Sequence, residues 1–139
     1  MNTPDIFYVE DDIDYAFFMQ SAVQEVKDTL NLAIVEDGKE ALSKLQSFVD
    51  TKTKPKLILL DLNLPGLSGL DLLKCIKEIP YLKSIPVILF STSDNPDDIK
   101  ASVEFGANAY LTKPDGYDNL VSCLHSVHDF WFNQYLRVN

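Results

Sequence analysis

Acidic, hydroxyl and amine side chains follow several separate apolar segments of the sequence. Asp61 comes directly after an apolar run, and the pair Glu10 and Asp11 follows another such run. Ser91 and Lys113 stand at the ends of two later apolar segments. Carboxylates that are brought together repel one another, so a group of this kind requires a cation or a proton. With a cation and an amine beside it, a carboxylate can attack phosphorus as a nucleophile.

Mg²⁺ suits these donors because it prefers oxygen ligands, binds through one or two carboxylates and completes its shell with water and phosphate. We expect Asp11 and Asp61 to be direct ligands, with Glu10 acting through water. The backbone carbonyl of Asn63 is expected to fill another position. If the substrate is a phosphoryl donor, Asp61 can form an aspartyl phosphate while Mg²⁺ and Lys113 offset charge on the phosphoryl oxygens.

The elements that must position these residues form an alternating pattern of short apolar runs and longer stretches with helical spacing. This alternation predicts an α/β fold with a parallel sheet. The predicted strands are residues 6–9, 32–35, 57–60, 87–90 and 109–111. The third and fourth are almost wholly apolar, which is typical of strands covered on both faces. In a doubly wound sheet the ligand site lies outside the carboxyl ends of the strands.

Helical spacing of apolar residues predicts five helices that cover this sheet. The first stripe has five members: Ala16, Met19, Val23, Val26 and Leu30. The fourth stretch, from Pro96 to Phe105, has only the thin stripe of Ile99 and Val103. The last helix starts near Tyr117 and is expected to carry Trp131 into the core. Asp12 is expected to cap the first helix.

The composition describes an acidic globular protein. The chain has 139 residues, a formal net charge of -9 and 46% hydrophobic residues. We therefore expect one domain over residues 1–139. The acidic balance argues against direct nucleic-acid binding, which depends on clustered Lys and Arg. Neither a secretory signal pattern nor a long apolar span is evident, so we expect a cytoplasmic protein that does not enter membranes.

Four motifs in this order make the sequence resemble a receiver domain of the response-regulator family, over nearly the whole chain. The motifs are Val9-Glu10-Asp11-Asp12, Leu60-Asp61-Leu62-Asn63-Leu64-Pro65-Gly66, Phe90-Ser91-Thr92-Ser93 and Tyr110-Leu111-Thr112-Lys113-Pro114. The resemblance implies a flavodoxin-like fold with strand order 2-1-3-4-5 and five helices. It also implies Mg²⁺ and phosphotransfer from a histidine kinase or histidine phosphotransfer protein, in two-component signalling.

Functional residues can be assigned from this resemblance by position. Asp61 corresponds to the phosphoacceptor, Glu10 and Asp11 to the acidic pair, and Lys113 to the counter-ion of the phosphoryl group. The resemblance also implies a cis peptide bond before Pro114, which would help to aim the lysine.

Ser91 and Tyr110 correspond to the switch residues of the family. Spacing to the acceptor and the lysine favours Ser91 over Thr92 as the switch hydroxyl, and Tyr110 is the aromatic partner. The expected output surface comprises the fourth helix, the fifth strand and the last helix. It would contact a downstream protein, which the sequence does not identify, or a second copy of the chain in a homodimer.

The sequence is also loosely similar to a subgroup of single-domain regulators that includes partners of cyanobacterial phytochromes. This similarity lies in the segment 62–65, the connector near Thr51 and the aromatic C-terminal end.

Two other functions fit part of the pattern. One is an aspartyl-phosphate phosphohydrolase of the haloacid-dehalogenase kind, because Asp61-Leu62-Asn63 resembles a degraded Asp-x-Asp motif. Against it, Asn63 cannot serve as the acid and the chain leaves little room for a substrate cap. The other is a receiver-like interaction module that is never phosphorylated, for which Asp61→Asn would leave partner binding unchanged. The retained acids, hydroxyl and lysine count against that module, and we expect a signalling phosphoacceptor that is not an enzyme acting on other substrates.

Overall fold

A five-stranded parallel sheet with helices on both faces forms the centre of the molecule. The structure is a computed structural model that describes residues 3–135 and 137. The strand order is 2-1-3-4-5, so the flavodoxin-like topology expected from the sequence is confirmed. The elements follow in chain order: β1 (Ile6–Val9), α1 (Ile13–Val26), β2 (Leu32–Val35), α2 (Gly38–Thr51), β3 (Leu57–Leu60), α3 (Gly69–Glu78), β4 (Val87–Ser91), α4 (Pro96–Glu104), β5 (Ala109–Thr112), α5 (Tyr117–His128) and a π-helical segment (Asp129–Gln134).

Two apolar clusters lie on opposite faces of the sheet, because successive side chains of a strand point in opposite directions. In β1, Phe7 and Val9 join the cluster that packs against α2 and α3. Ile6 and Tyr8 join the other cluster, to which α1 and α5 contribute. Every residue of β1, β3 and β4 is buried. The sequence therefore indicated correctly that the third and fourth strands are covered on both faces.

The register of the strands brings their carboxyl ends to one edge. Val9 pairs with Leu60, Leu60 pairs with Leu89, and Leu89 pairs with Tyr110. These four residues form one continuous rung across β1, β3, β4 and β5. The residues that follow the rung therefore emerge at the same edge of the sheet.

Side-chain caps fix where the first four helices begin. Asp12 accepts hydrogen bonds from the amides of Asp14 and Tyr15 at 3.0 and 3.2 Å, so its expected role as the cap of α1 is confirmed. Three further residues cap α2, α3 and α4 in the same way: Asp37, Ser68 and Asn95. Each cap satisfies an amide that has no partner inside its helix.

The apolar stripes predicted for α1 and α4 need correction. Helix α1 ends at Val26, so Leu30 lies beyond it, although Leu30 still packs against the same cluster. In α4, Ile99 and Val103 are 37% and 65% exposed, so this stripe does not face the core. The buried residue of α4 is instead Ser102, whose hydroxyl donates to the carbonyl of Ile99 at 2.7 Å.

The chain after α5 forms a π-helical segment that the sequence did not predict. The amide of Tyr135 donates to the carbonyl of Phe130 at 2.8 Å. Trp131 is only 9% exposed, which confirms its predicted place in the core. Among the residues described, no helix has both the length and the apolar character that crossing a membrane requires.

Candidate functional site

The sheet edge positions two buried acids on neighbouring strands. Asp61 directly follows β3, and its amide donates to the carbonyl of Val9 in β1 at 3.0 Å. Glu10 directly follows β1, and its amide donates to the carbonyl of Val35 in β2 at 2.9 Å. Only 1% of Glu10 and 7% of Asp61 are exposed. Backbone hydrogen bonds of the sheet thus hold both acids at the edge where the sequence predicted a site.

Three carboxylates form one cluster at this edge. Glu10, Asp11 and Asp61 each offer an oxygen atom, and these oxygens lie within 4.8 Å of one another. Glu10 and Asp61 are buried, whereas Asp11 is exposed. Like charges at such distances are unfavourable unless a cation or a proton compensates them. An all-oxygen donor set with one exposed member therefore fits a divalent cation such as Mg²⁺.

Lys113 brings the amine that this cluster requires. Its Nζ atom lies 2.5 Å from Oε1 of Glu10 and 3.2 Å from Oδ2 of Asp61, and its side chain is 7% exposed. Its backbone amide donates to the carbonyl of Ser91 at 2.8 Å, which fixes the chain at the end of β5. Burial lowers the pKa of Lys113, but its contacts with Glu10 and Asp61 outweigh burial and raise the net pKa above the ordinary value.

The expected cis peptide bond before Pro114 is wrong. No cis peptide bond occurs in the described part of the chain. Lys113 reaches both carboxylates with a trans bond after it, and the pairing of β5 with β4 brings it to this edge of the sheet. The Nζ atom also lies 4.7 Å from the ring centre of Tyr15, which covers one side of the amine.

Tyr8 also belongs to the site, although it is not among the residues that the motifs indicated. Its hydroxyl donates to Oε1 of Glu10 at 2.6 Å. Burial, followed by the charge of Glu10, raises the pKa of Tyr8 well above its ordinary value, so the hydroxyl remains a donor. Residues two apart in a strand point the same way. The separation of Tyr8 from Glu10 was therefore a signal that could have identified it.

The environment of Glu10 makes its ionisation sensitive to pH. Burial is the largest effect and raises its pKa, and Asp61 raises it further. Hydrogen bonds from Lys113 and Tyr8 lower it in part. The resulting pKa is about 7. Near neutral pH, Glu10 can therefore bind a proton. This proton would offset the negative charge of the cluster when no metal ion does so in addition to the Lys113 ammonium group.

The backbone that follows β3 also holds the Asp61 side chain, at the carboxylate oxygen that Lys113 does not contact. The amide of Asn63 donates to Oδ1 of Asp61 at 3.2 Å, so each carboxylate oxygen has one hydrogen-bond donor. The predicted role of the Asn63 carbonyl as a ligand stays a prediction. Gly69 begins α3 against this turn, and a Cβ atom added there would lie 2.1 Å from the carbonyl oxygen of Asp61. Glycine is required at this position because α3 approaches the backbone of Asp61 so closely.

Ser91 and Tyr110 are joined through a residue between them. Ser91 is fully buried, and its Oγ accepts a hydrogen bond from the amide of Ser93 at 3.1 Å. The half-buried Tyr110 donates its hydroxyl proton to the carbonyl of Ser93 at 2.8 Å. The hydroxyl of Ser93 donates to Oδ2 of Asp98 in α4 at 2.7 Å. The sequence contained no periodic signal for this network, because its four residues come from β4, the following loop, α4 and β5 and meet only in the folded chain.

The fold and the side-chain arrangement agree with a family assignment made by comparison. The model of the response regulator receiver domain family matches residues 6–125. The chain therefore belongs to the receiver domain family of response regulators, as the motifs indicated.

Its relatives include single-domain regulators of cyanobacteria. Response regulator Rcp1 of Synechocystis sp. is 42% identical in an alignment of 115 residues, and the coverage is 78% of this chain and 78% of that protein. The crystal structure of the phosphorylated cyanobacterial phytochrome response regulator RcpA is similar with a TM-score of 0.89 and 34% identity, over 99% of this chain and 100% of that chain. The Mn²⁺-bound form of Rcp1 has a TM-score of 0.81 and 36% identity, over 98% and 100% of the two chains. These findings confirm the looser similarity to cyanobacterial phytochrome regulators as well.

Proposed function

We propose that residues 1–139 act as a single cytoplasmic receiver domain in which Asp61 accepts a phosphoryl group from a histidine kinase or histidine phosphotransfer protein, with Mg²⁺. The observation that carries this proposal is the Lys113 amine 3.2 Å from Oδ2 of Asp61, inside a cluster of three carboxylates. A buried nucleophilic carboxylate, an oxygen-rich cation site and an amine are the groups that phosphoryl transfer to an acid requires.

In the proposed reaction, a carboxylate oxygen of Asp61 attacks the phosphorus of a phosphohistidine. The new P–O bond forms as the P–N bond breaks, and the histidine nitrogen leaves with the bonding electron pair. A carboxylate is itself the nucleophile in this step, so no general base is required to activate it. Lys113 would then bind an oxygen of the phosphoryl group, and the sheet hydrogen bonds of Asp61 keep its carboxylate in position.

Glu10, Asp11 and Asp61, with the backbone carbonyl of Asn63, would hold Mg²⁺. When bound, Mg²⁺ would offset negative charge on the carboxylates and on the phosphoryl oxygens. The Mn²⁺-bound form of Rcp1 supports the proposal that the present chain binds a divalent cation, and the acidic cluster is a donor set that fits one.

The proposed switch begins at Ser91. Its Oγ now accepts from the amide of Ser93 and still has a proton to donate, which could go to an oxygen of the phosphoryl group. Such a charge-assisted bond is worth about 1.5–3 kcal/mol. Changing the ratio of active to inactive conformations from 1:99 to 99:1 needs about 5.5 kcal/mol. Contacts of Lys113 or the binding of a partner must therefore supply the remaining free energy. Movement at Ser93 would be transmitted to Tyr110 and to Asp98 in α4, which both bond to it.

Two surfaces are proposed for partners. Ile13, Phe17 and Phe18 are 72%, 69% and 49% exposed on the helix that begins beside the acidic cluster, so this face suits the phosphoryl donor. Ile99 and Val103 of α4 are also exposed, on the output surface formed with β5 and α5. Exposed apolar side chains in groups often mark protein interfaces. A downstream protein or a second copy of the chain would bind the output surface.

The decisive experiment is modification by acetyl phosphate. Wild-type protein incubated with acetyl phosphate and Mg²⁺ should gain one phosphoryl group by intact-protein mass spectrometry, and EDTA should prevent the gain. Asp61→Asn should not be modified, whereas Asp71→Asn, which removes an exposed acid of α3, should behave as wild type.

The alternatives give different results in the same assay. A module that is never phosphorylated would show no modification of the wild type. A phosphohydrolase would turn over small phosphate esters repeatedly, and that turnover would be lost in Asp61→Asn. Either outcome would contradict the proposed function.

A further inference from the structure

A pocket lies at the opposite edge of the sheet from the acidic cluster. It has a volume of about 390 Å³ and is lined by the segments that precede β3 and β4, together with residues near the C-terminus. This volume lies within the range of about 300–1,000 Å³ that is usual for small-molecule sites. The strands between the two edges are four or five residues long, so roughly 13 Å of sheet separates this pocket from the residues that follow the strands.

The charge of the pocket is opposite to that of the protein. Four of the 12 Lys and Arg residues of a chain with net charge -9 line it: Lys52, Lys54, Lys56 and Arg137. None of the residues that line it is acidic. Among the described residues, its one ion pair joins Lys56 to Asp5 at 3.9 Å, where both side chains are partly exposed. A local positive potential on an acidic protein is suited to attract a small anion.

Two of the three lysines lie close to one aromatic ring. The ammonium group of Lys54 lies 4.5 Å from the ring centre of Tyr81, and that of Lys52 lies 5.6 Å from the same centre. Lys54 also lies 3.5 Å from the hydroxyl oxygen of Ser84, which lines the same pocket. Two like charges near one ring repel each other, and a bound anion would relieve that repulsion.

Arg137 is held in place at the pocket wall. Its Nη1 donates to the carbonyl of Lys56 at 2.6 Å, and its Nη2 donates to the carbonyl of Trp131 at 2.5 Å. These bonds use two of the five N–H donors of a guanidinium group. The guanidinium group lines the same pocket as the three lysines, and its planar fork of donors is of the kind that suits phosphate oxygens.

We infer that this pocket binds a small phosphate-bearing anion with at least two negative charges. The lysines and Arg137 contact the phosphate oxygens, and Tyr81 and Tyr135 provide aromatic walls against which a planar base can pack. A diphosphate and a nucleoside diphosphate share this chemistry. The inference does not depend on the phosphoacceptor function, because no residue of the acidic cluster lines the pocket.

The test is isothermal titration calorimetry of the full chain at low ionic strength in EDTA, which keeps divalent cations from the acidic cluster. Pyrophosphate and ADP are the two probes. We expect both to bind at one site, with weaker binding at higher salt. If ADP binds more tightly than pyrophosphate, the adenine base contributes to binding. Tyr81→Leu should then reduce the affinity for ADP and leave the affinity for pyrophosphate unchanged.

Two double variants carry the same change of net charge. Lys52→Gln with Lys54→Gln should weaken pyrophosphate binding about tenfold or more, because two charge-assisted contacts are lost. Lys44→Gln with Lys100→Gln removes exposed lysines of α2 and α4 and should change the affinity less than about twofold. Asp61→Asn should bind both probes as the wild type does.

Several results would overturn the inference. These are the absence of binding by either probe, equal weakening in the two double variants, and loss of binding in Asp61→Asn. Tighter binding of a poly-glutamate peptide than of either probe would also overturn it and would assign the pocket to an acidic protein segment. Circular dichroism of each variant establishes that the fold is retained, so a loss of binding reports on the pocket.

Discussion

Replacing Lys113 by methionine should destabilise the metal-free protein strongly, because the amine is the counter-ion of two buried acids. Its Nζ atom lies 2.5 Å from Glu10 and 3.2 Å from Asp61, and the three side chains are 7%, 0% and 9% exposed. Removing one partner of a buried ion pair costs about 3–5 kcal/mol. We expect about 3 kcal/mol at pH 8, the lower end, because Glu10 can escape part of the cost by protonation. The melting temperature should fall by about 10 °C.

The same variant should be less affected at pH 6 than at pH 8. The pKa of Glu10 is raised from 4.5 to about 7 in the folded protein, and loss of the Lys113 hydrogen bond, which lowers it, would raise it further. Between these pKa values the folded protein binds more protons than the unfolded chain, so stability falls as pH rises through that window. The destabilisation at pH 6 should therefore be about 1 kcal/mol smaller than at pH 8 if the pKa of Glu10 rises by about one further unit.

Urea unfolding in EDTA at pH 6 and pH 8 measures both effects, with Trp131 as the single tryptophan signal. Lys100→Met, which replaces an exposed lysine of α4, should change the free energy of unfolding by about 0.5 kcal/mol or less. A loss below about 1 kcal/mol in Lys113→Met at pH 8 would refute the reasoning, as would an equal loss at both pH values. Either result would mean that the carboxylates do not rely on this amine.

Three further predictions concern the same edge of the sheet. Calorimetry should show that Mg²⁺ binds about tenfold more weakly at pH 6 than at pH 8. The reason is that the pKa of Glu10 is near 7, so protons compete with the metal ion for this side chain. An affinity that does not depend on pH would contradict this prediction. Tyr110→Phe should lower the free energy of unfolding by about 1 kcal/mol and speed hydrogen exchange near Ser93, and unchanged exchange would count against the link. Gly69→Ala should lower the free energy of unfolding by about 1–3 kcal/mol and slow modification by acetyl phosphate, because the added Cβ atom would clash with the carbonyl oxygen of Asp61. Wild-type stability together with a wild-type rate of modification would disprove this clash.

Most of the fold could be predicted because the strands carry strong local signals. The five apolar runs match the observed strands to within one residue at each end. Local chemistry also marks helix ends. Asp12 caps the start of α1 with its side chain, and Gly106, two residues after the end of α4, adopts a positive φ of 98° that favours glycine. Such signals depend on neighbours in the sequence, so they can be interpreted without knowledge of the packing.

The features that were missed depend on tertiary packing. Ile99 and Val103 have helical spacing, but the sequence does not show which side of a short helix meets the sheet. The π-helical segment widens the last turns where Trp131 packs into the core, and local propensity does not predict such a change.

The charged members of the candidate site could be predicted from the sequence, whereas only some of the hydrogen bonds that connect its residues could be. Sheet topology brings Asp61, Glu10 and Lys113 together, because residues that follow parallel strands meet at one edge. The bond from Tyr8 to Glu10 follows from the two-residue strand period and could have been foreseen. The bond from Ser93 to Asp98 joins a loop to the start of a helix, and its formation depends on backbone geometry that the sequence does not specify.

The continuous rung from Val9 through Leu60 and Leu89 to Tyr110 has a consequence for insertions and deletions. Deleting one residue inside β3 would turn every later side chain of that strand to the opposite face, because the side-chain period is two. The apolar strand could still pair, since both of its faces are buried against hydrophobic clusters. Asp61 would nevertheless leave the neighbourhood of Lys113. The length of β3 is therefore constrained more strictly by the need to place Asp61 beside Lys113 than by the packing of the strand between the two hydrophobic clusters.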